Sequence, residues 1–246
     1  MTWHQIRSFS HKRRILGGAY ADRIMALGPI AYWPLDELSG PTARCLVNSA
    51  QNAAVTGITW ANDNTGPFGT PAPYFDGTND YVALCTATLD AALNGATGTA
   101  LLWARVATGA WTDGTLRYPL ILKDDADNGY VFYKHTVNNR IDAVMEAGAG
   151  TAVISKTSYS ESGWFLLAQT WSDADNADEA KYFVAGAQAG STSSALNAWD
   201  GGGLLASATV LGASSTAPGS PWHGWLAHLA IFNYVLPPAT ILGLAS

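Results

Sequence analysis

The sequence predicts an all-β protein, a two-sheet antiparallel jelly-roll sandwich with a short N-terminal helix and an extended basic arm. Its 246 residues suit one large all-β domain. Short apolar or alternating runs recur along the chain, and turn residues such as Asp76-Gly77 and Asn138-Asn139 separate them. Ten tryptophans and ten tyrosines add residues that favour strands. Many short strands with regular turns between them are typical of a sandwich.

The first 28 residues differ from the remainder of the chain. Residues 1–18 are polar and basic with scattered apolar side chains, which predicts an extended arm. Tyr20, Ile24 and Leu27 then recur at helical spacing, and Gly28-Pro29 ends the predicted helix. The predicted organisation is an arm with a short helix over residues 1–28 and a sandwich over residues 29–246.

The strands of the sandwich follow from their hydrophobic patterns. Within Arg140–Glu146 the apolar Ile141, Ala143 and Met145 share one face, which predicts a strand with one face in the core. Trp164–Ala168 is apolar on both faces, as expected of a central strand covered on both sides. The predicted strands are Ile30–Leu35, Tyr74–Leu84, Ala100–Val106, Tyr118–Lys123, Gly129–Lys134, Arg140–Glu146, Ala152–Lys156, Trp164–Trp171, Ala180–Ala185, Ala206–Leu211 and Gly224–Asn233, and a short helical turn follows at 237–242.

Five segments carry motifs in a fixed order, namely residues 31–37 (AYWPLDE), 75–82 (FDGTNDYV), 164–171 (WFLLAQTW), 182–186 (YFVAG) and 222–233 (WHGWLAHLAIFN). Their order and spacing over residues 30–245 resemble the laminin-G-like domains of the concanavalin A-like lectin/glucanase superfamily. The resemblance implies that the first and last strands lie side by side and that Gly77 and Gly186 occupy tight turns. The family commonly has Asn where Ala185 stands, and an acidic residue near His228, so polar contacts are not carried over there.

Residues 26–37 (ALGPIAYWPLDE) are similar to the opening of laminin-G-like domains in tailed-phage virion proteins. This looser likeness is one reason to consider a virion role for the chain.

The catalytic motifs of this fold are absent from the sequence. Retaining glycoside hydrolases on it carry E-x-D-x-E on one strand, because period-two spacing aims the carboxylates at one sugar. None of the four glutamates has an acidic residue two positions away, and there is no G-x-S-x-G motif. The sequence therefore predicts a protein that is not an enzyme. His228, on an apolar strand, is predicted to be a hydrogen-bonded core histidine, and Cys45 and Cys85 to be buried thiols.

The densest acidic run, residues 123–129, is a candidate site for one calcium ion. Asp124, Asp125 and Asp127 offer several oxygens on one loop, which calcium requires. The resemblance adds Asp76 and Asp80, since laminin-G-like domains often hold one calcium ion at a rim of the sandwich. A solvated hairpin turn is the alternative interpretation of this run.

Three tryptophans in loop-like segments are candidate contacts for a glycan or a protein partner. Trp60, Trp111 and Trp199 lie among Asn, Asp, Thr and Gly residues. An exposed indole stacks well on a sugar ring or anchors a partner. The alternative is that each indole folds back over the edge of the sandwich.

Charge is distributed unevenly along the chain. Residues 1–23 carry five basic side chains against Asp22, a balance of +4, so the net charge of −6 leaves −10 for the remainder. An acidic body is atypical of a nucleic-acid-binding groove, so direct nucleic-acid binding is not expected. No stretch approaches the roughly 20 apolar residues of a membrane span, so no membrane partner is expected. The residues predicted to dock the arm on an acidic neighbour are Trp3, Arg7, Phe9, Lys12, Arg13 and Arg14.

Two functional hypotheses follow. The first is a non-enzymatic phage-type virion protein, a capsid decoration or tail component on the particle surface that docks through its arm on a major capsid or tail protein. A homo-oligomer such as a trimer would suit that role. The alternative is an extracellular, calcium-dependent carbohydrate-binding or adhesion module that contacts host glycans.

Overall fold

The computed structural model describes residues 18–60, 66–148, 150–172, 179–194, 196–199 and 201–246. The helices of these residues are α1 (18–26), α2 (Ala87–Ala92) and α3 (Pro238–Leu244). The strands are β1 (Ala31–Trp33), β2 (Thr42–Ala43), β3 (Ala53–Thr56), β4 (Tyr74–Asp76), β5 (Tyr81–Ala83), β6 (Thr97–Val106), β7 (Arg117–Asp124), β8 (Gly129–Lys134), β9 (Ile141–Ala147), β10 (Gly150–Lys156), β11 (Phe165–Ser172), β12 (Glu179–Val184), β13 (Ala187–Ser193), β14 (Leu204–Leu211) and β15 (His223–Phe232).

These strands form the predicted two-sheet antiparallel sandwich. The seven-stranded sheet has the order β1-β15-β6-β11-β12-β13, with β4 also paired to β15. The eight-stranded sheet has the order β10-β9-β8-β7-β14-β5-β3-β2. As the resemblance implies, the first strand pairs with the last, with Tyr32 opposite Ala230.

The main core lies between the inner faces of the two sheets. The alternation predicted for β9 is confirmed, because Ile141, Ala143 and Met145 are buried in this core. Strand β11 is covered on both sides: Phe165 faces the main core, and Leu166 packs on the opposite face of the sheet.

A second apolar layer covers the outer face of the seven-stranded sheet. Tyr20 and Ile24 of α1 and Ile241 and Leu244 of α3 are buried in this layer. The Trp103 indole Nε1 donates a hydrogen bond of 2.8 Å to the Tyr20 hydroxyl, which fixes α1 on the sheet. The predicted helix therefore packs on the sandwich, and Gly28 follows it with a φ of 66°.

The structure differs from the predicted elements at several places. The predicted strand Tyr74–Leu84 is two strands, because the backbone turns at Gly77, whose φ is 81°. The Asp80 carboxylate stabilises this turn by accepting a hydrogen bond of 2.7 Å from the Asp76 N–H. Strands β3 and β13 and helix α2 were not predicted, since their small Ala, Gly, Ser and Thr residues carry little periodic signal.

Within the described ranges, no helix has the length and hydrophobicity that a membrane span requires.

Candidate functional site

The outer face of the eight-stranded sheet carries a surface groove. Strands β7, β8 and β9 lie next to one another, and Ile121, Val131 and Val144 stand at one level of their register. These three side chains form a small apolar floor on the outer face. The sheet groove, as we call it, has a volume of about 360 Å³ and is lined by Leu116, Tyr118, Ile121, Lys123, Val131, Tyr133, His135, Thr136, Val144 and Glu146.

Two partly exposed tyrosine rings stand over one end of this floor. Tyr118 and Tyr133 have ring centroids 5.8 Å apart with planes inclined at 39°. Burial raises the pKa of Tyr118. Burial and the neighbouring Asp142 carboxylate raise the pKa of Tyr133 to about 12. Both hydroxyls therefore stay protonated at neutral pH and can donate hydrogen bonds.

A buried ion pair supports the tyrosine end of the groove. Asp142 lies opposite Tyr133 in the register of β8 and β9. Its carboxylate accepts hydrogen bonds of 2.9 and 3.0 Å from the Arg140 Nε. Arg140 also donates to the Ser155 hydroxyl at 3.0 Å. These contacts hold the Asp142 carboxylate beside the tyrosine ring.

A second ion pair closes the opposite end of the groove. Lys123 and Glu146 both lie opposite Gly129, which has no side chain to separate them. The Lys123 ammonium contacts the Glu146 carboxylate and lies 3.7 Å from an Asp127 oxygen. From Gly129 to His135 the groove follows six residues of β8 and its exit, roughly 20 Å. An apolar floor between hydrogen-bonding ends suits an extended ligand with both polar and apolar faces.

Another cavity, of about 380 Å³, lies beside the segment that joins β1 and β2. Its lining includes Asp36, Glu37, Leu38, Arg44 and Leu46. Burial raises the pKa of both carboxyl groups. No aromatic side chain lines this cavity within the described residues, so it offers no ring on which a sugar could stack.

Residues 76–242 match the family model described as the concanavalin A-like lectin/glucanases superfamily. The chain belongs to this superfamily. No curated protein sequence matches it.

Solved structures similar to this concanavalin A-like domain include binding domains of botulinum neurotoxins. The receptor binding domain of the C/D mosaic serotype has a TM-score of 0.63 at 11% identity, covering 88% of this chain and 50% of that chain. The serotype D ligand binding domain in complex with N-acetylneuraminic acid has a TM-score of 0.63 at 12% identity, with the same coverages of 88% and 50%. This chain thus spans about half the length of those chains, and at such identities the likeness shows the fold alone.

The predicted calcium residues of this concanavalin A-like domain do not come together as a metal site. In the described ranges, no three His, Cys, Asp or Glu side chains form a group that could hold a metal ion. Asp124 instead organises its own turn: one oxygen accepts from the N–H groups of Ala126 and Asn128, and the other from the Asn128 side chain at 2.8 Å. Asp125 is exposed in that turn.

The other carboxylates that were predicted to bind calcium also contact groups of the protein. The Asp127 side chain is 89% exposed and pairs with Lys123. Asp80 stabilises the turn after β4, and Asp76 accepts from the Thr78 N–H at 2.8 Å in the same turn. The 123–129 run forms the turn of the alternative interpretation, and calcium binding there stays a prediction.

The three candidate tryptophans lie mostly against the sandwich. Trp111 is 7% exposed and Trp199 is 4% exposed, so these two indoles fold back over the sandwich, as the alternative interpretation expects. The Trp111 Nε1 donates 2.8 Å to the Glu161 carbonyl, which holds its ring over the edge of the core. Trp60 is partly exposed, and its Nε1 donates 2.7 Å to the Gly40 carbonyl. The indoles fold back because their large apolar surfaces are more stable against the core than in water.

Other sequence predictions have clear outcomes. His228 is buried and hydrogen-bonded to the Tyr32 hydroxyl at 2.8 Å, so the core histidine is confirmed. Cys45 is buried, Cys85 is partly buried, and both thiols are free. The arm residues Trp3, Arg7, Phe9, Lys12, Arg13 and Arg14 lie outside the described residues.

Sequence reasoning missed the sheet groove. Its tyrosines lie within predicted strands, where aromatic residues are usually core. The signal in the sequence was the alternation along β8. Tyr130 and Phe132 face the core, so Val131 and Tyr133 lie on the other face of the strand.

Proposed function

We propose that this protein is a non-enzymatic carbohydrate-binding protein and that the sheet groove holds the glycan. The observation that carries the proposal is the pair of partly exposed rings, Tyr118 and Tyr133, beside an apolar floor with polar groups at both ends. Sugar rings have apolar faces that stack on aromatic rings and hydroxyl edges that require hydrogen-bonding partners. The groove supplies both kinds of contact.

The membership of the chain in a lectin-containing superfamily supports this proposal. One similar solved structure, of which this chain covers half, is a ligand binding domain in complex with N-acetylneuraminic acid. Aromatic ring contacts are worth about 0.5–1.5 kcal/mol beyond the buried area, so the two tyrosines are expected to contribute measurably to affinity.

The test is glycan binding by the full chain and by variants of the two groove tyrosines, singly and together. We expect Tyr118→Ala and Tyr133→Ala each to weaken binding roughly tenfold, a loss of about 1.4 kcal/mol. Tyr133→Phe keeps the ring and should retain most of the affinity. Tyr234→Ala is the matched control, because Tyr234 is an exposed tyrosine that packs against Phe232 of the other sheet. Binding that survives removal of both groove rings would refute the assignment of the site.

We propose separately that the protein is a component of a phage-type virion, a capsid decoration or tail protein, and docks through residues 1–18. The support is the charge of +4 on residues 1–23 against −10 on the remainder, together with the likeness of residues 26–37. A basic arm favours an acidic protein neighbour. An extracellular location without a particle is the alternative.

The virion proposal is tested by mass spectrometry of purified particles and by particle binding of full-length and arm-deleted protein. It predicts a stoichiometric component whose attachment needs residues 1–18. Absence from particles, or attachment without the arm, would overturn it. Neither result bears on the sheet groove.

A further inference from the structure

We propose that the sheet groove selects neutral glycans and discriminates against acidic ones. The inference rests on the proposed carbohydrate-binding function and adds the class of ligand. It follows from the carboxylates that neutralise the positive charge of the cationic side chains at the groove.

At one end of the groove, Lys123 is compensated by two carboxylates. Its ammonium contacts Glu146 and also lies 3.7 Å from Asp127. The Lys123 side chain is only 18% exposed, and the Glu146 side chain is 29% exposed. This end of the groove therefore carries one positive and two negative charges, which leaves no excess positive charge for a ligand carboxylate.

At the other end, Arg140 is compensated by Asp142. Its Nε donates to both carboxylate oxygens, and its Nη2 lies 2.8 Å from Asp142 Oδ2. A further hydrogen bond to Ser155 uses the same Nη2 nitrogen. The Asp142 carboxylate thus neutralises the charge of the Arg140 guanidinium, which leaves no excess positive charge at this end of the groove.

The histidine of the groove uses one ring nitrogen within its own turn. His135 Nδ1 accepts a hydrogen bond of 2.9 Å from the Val137 N–H.

An acidic sugar would therefore place its carboxylate beside carboxylates, in a groove on a body of charge −10. Removing that carboxylate from water without a cationic partner is unfavourable. A neutral sugar has no charged group to remove from water, and its hydroxyls can donate to Glu146 and accept from the Tyr118 hydroxyl. The groove thus favours the neutral member of any pair of glycans that differ by a carboxylate.

One substitution should change this selectivity. Glu146→Gln removes the nearer carboxylate and leaves Lys123 with only the exposed Asp127 as a partner. The ammonium then becomes available to an acidic ligand, and Asp127→Asn in the same chain should add to the effect. Glu179→Gln is the matched control, since Glu179 pairs with Lys181 on the seven-stranded sheet.

The experiment measures affinities of the full chain for matched probes at neutral pH and low salt. The probes are tetramers of galactose and tetramers of galacturonic acid, which differ only by their carboxylates. We expect the native protein to bind the neutral member of a pair at least about tenfold more tightly. Glu146→Gln should narrow that ratio several-fold through tighter binding of the acidic member, while Glu179→Gln leaves it unchanged.

The outcomes separate the two proposals. Equal or tighter binding of acidic probes by the native protein overturns the neutral selectivity and leaves the carbohydrate-binding function standing. An unchanged ratio in Glu146→Gln also overturns it, because the ion pair would then not control the choice. No binding of any member of a broad glycan panel overturns the carbohydrate-binding function itself.

Discussion

Replacement of His228 by Gln should flatten the dependence of stability on pH. His228 is 1% exposed under α1, with its ring centroid 4.8 Å from that of Tyr20 and its Nδ1 2.8 Å from the Tyr32 hydroxyl. Burial lowers the pKa of His228 from 6.5 to about 3. The folded protein therefore keeps the ring neutral over a range of pH in which the unfolded chain takes up a proton.

The sign and size of the effect follow from this difference. The contribution of the neutral ring to stability is complete above pH 6.5 and is lost progressively as the pH falls toward 3. At about 1.36 kcal/mol per pH unit, the loss over the two units from pH 6.5 to pH 4.5 is about 3 kcal/mol. Gln does not ionise, so His228→Gln removes this term.

The assay is urea unfolding at pH 7 and pH 4.5, followed by tryptophan fluorescence. His228→Gln is expected to be less stable than the native protein at pH 7 by roughly 1–3 kcal/mol, because it loses ring packing and part of the Tyr32 contact. Between the two pH values it should lose about 3 kcal/mol less than the native protein. Carboxylates titrate alike in both proteins and cancel in the comparison.

His223→Gln is the control on the same strand. His223 is half-buried and hydrogen-bonds to the Tyr74 hydroxyl, so its replacement should change the pH dependence much less. If native protein and His228→Gln lose the same free energy between pH 7 and pH 4.5, the argument from burial is refuted.

Three further predictions concern the turn, the groove and a buried ion pair. Asp124→Ala should lower the free energy of unfolding by roughly 2–4 kcal/mol, equally with calcium and with a chelator, because the carboxylate accepts hydrogen bonds from its own turn. A larger loss of stability with calcium than with the chelator, measured in thermal melts, would instead support calcium binding by this turn. Gly129→Ala should destabilise the sheet by a few kcal/mol, because its Cβ would lie 2.0 Å from the Leu122 carbonyl oxygen, and an unchanged Tm would contradict this. Asp113→Ala removes the carboxylate that lies 2.8 Å from the fully buried Lys134 ammonium, and the free energy of unfolding should fall by roughly 3–5 kcal/mol. In a double-mutant cycle, a second change, Lys134→Met, should recover most of this loss.

The predictions made from strand patterns are mostly confirmed. The Gly129–Lys134 strand matches β8 residue for residue, and the alternation in β9 matches the faces of its side chains. The pairing of β1 with β15 follows from the family resemblance, since nothing local to either strand specifies its partner. Strand β13 (AQAGSTS) was missed because small polar residues form a strand there mainly through hydrogen bonds to β12.

Predictions about the site fared less well, because local composition does not tell where a side chain points. Trp111 and Trp199 lie in loop-like sequence, yet both are buried. The acidic run offers oxygens suited to calcium, yet Asp124 uses its oxygens for the N–H and side-chain groups of its own turn. Tyr118 and Tyr133 are aromatic residues within strands, where such residues usually belong to the core, yet they line a groove.

The sequence by itself determined the class of fold, the identity of most strands, the superfamily and the buried state of His228. Period-two patterns and turn residues lie within a few positions of one another, and the ordered motifs can be recognised along the chain without knowing which strands pair. Only the tertiary structure decided which sheet face is covered and which holds the groove. That choice depends on α1 and α3, from opposite ends of the described chain, packing on the seven-stranded sheet. It also depends on the register that brings Lys123 to Glu146 across Gly129, and neither relation is contained in any short segment of the sequence.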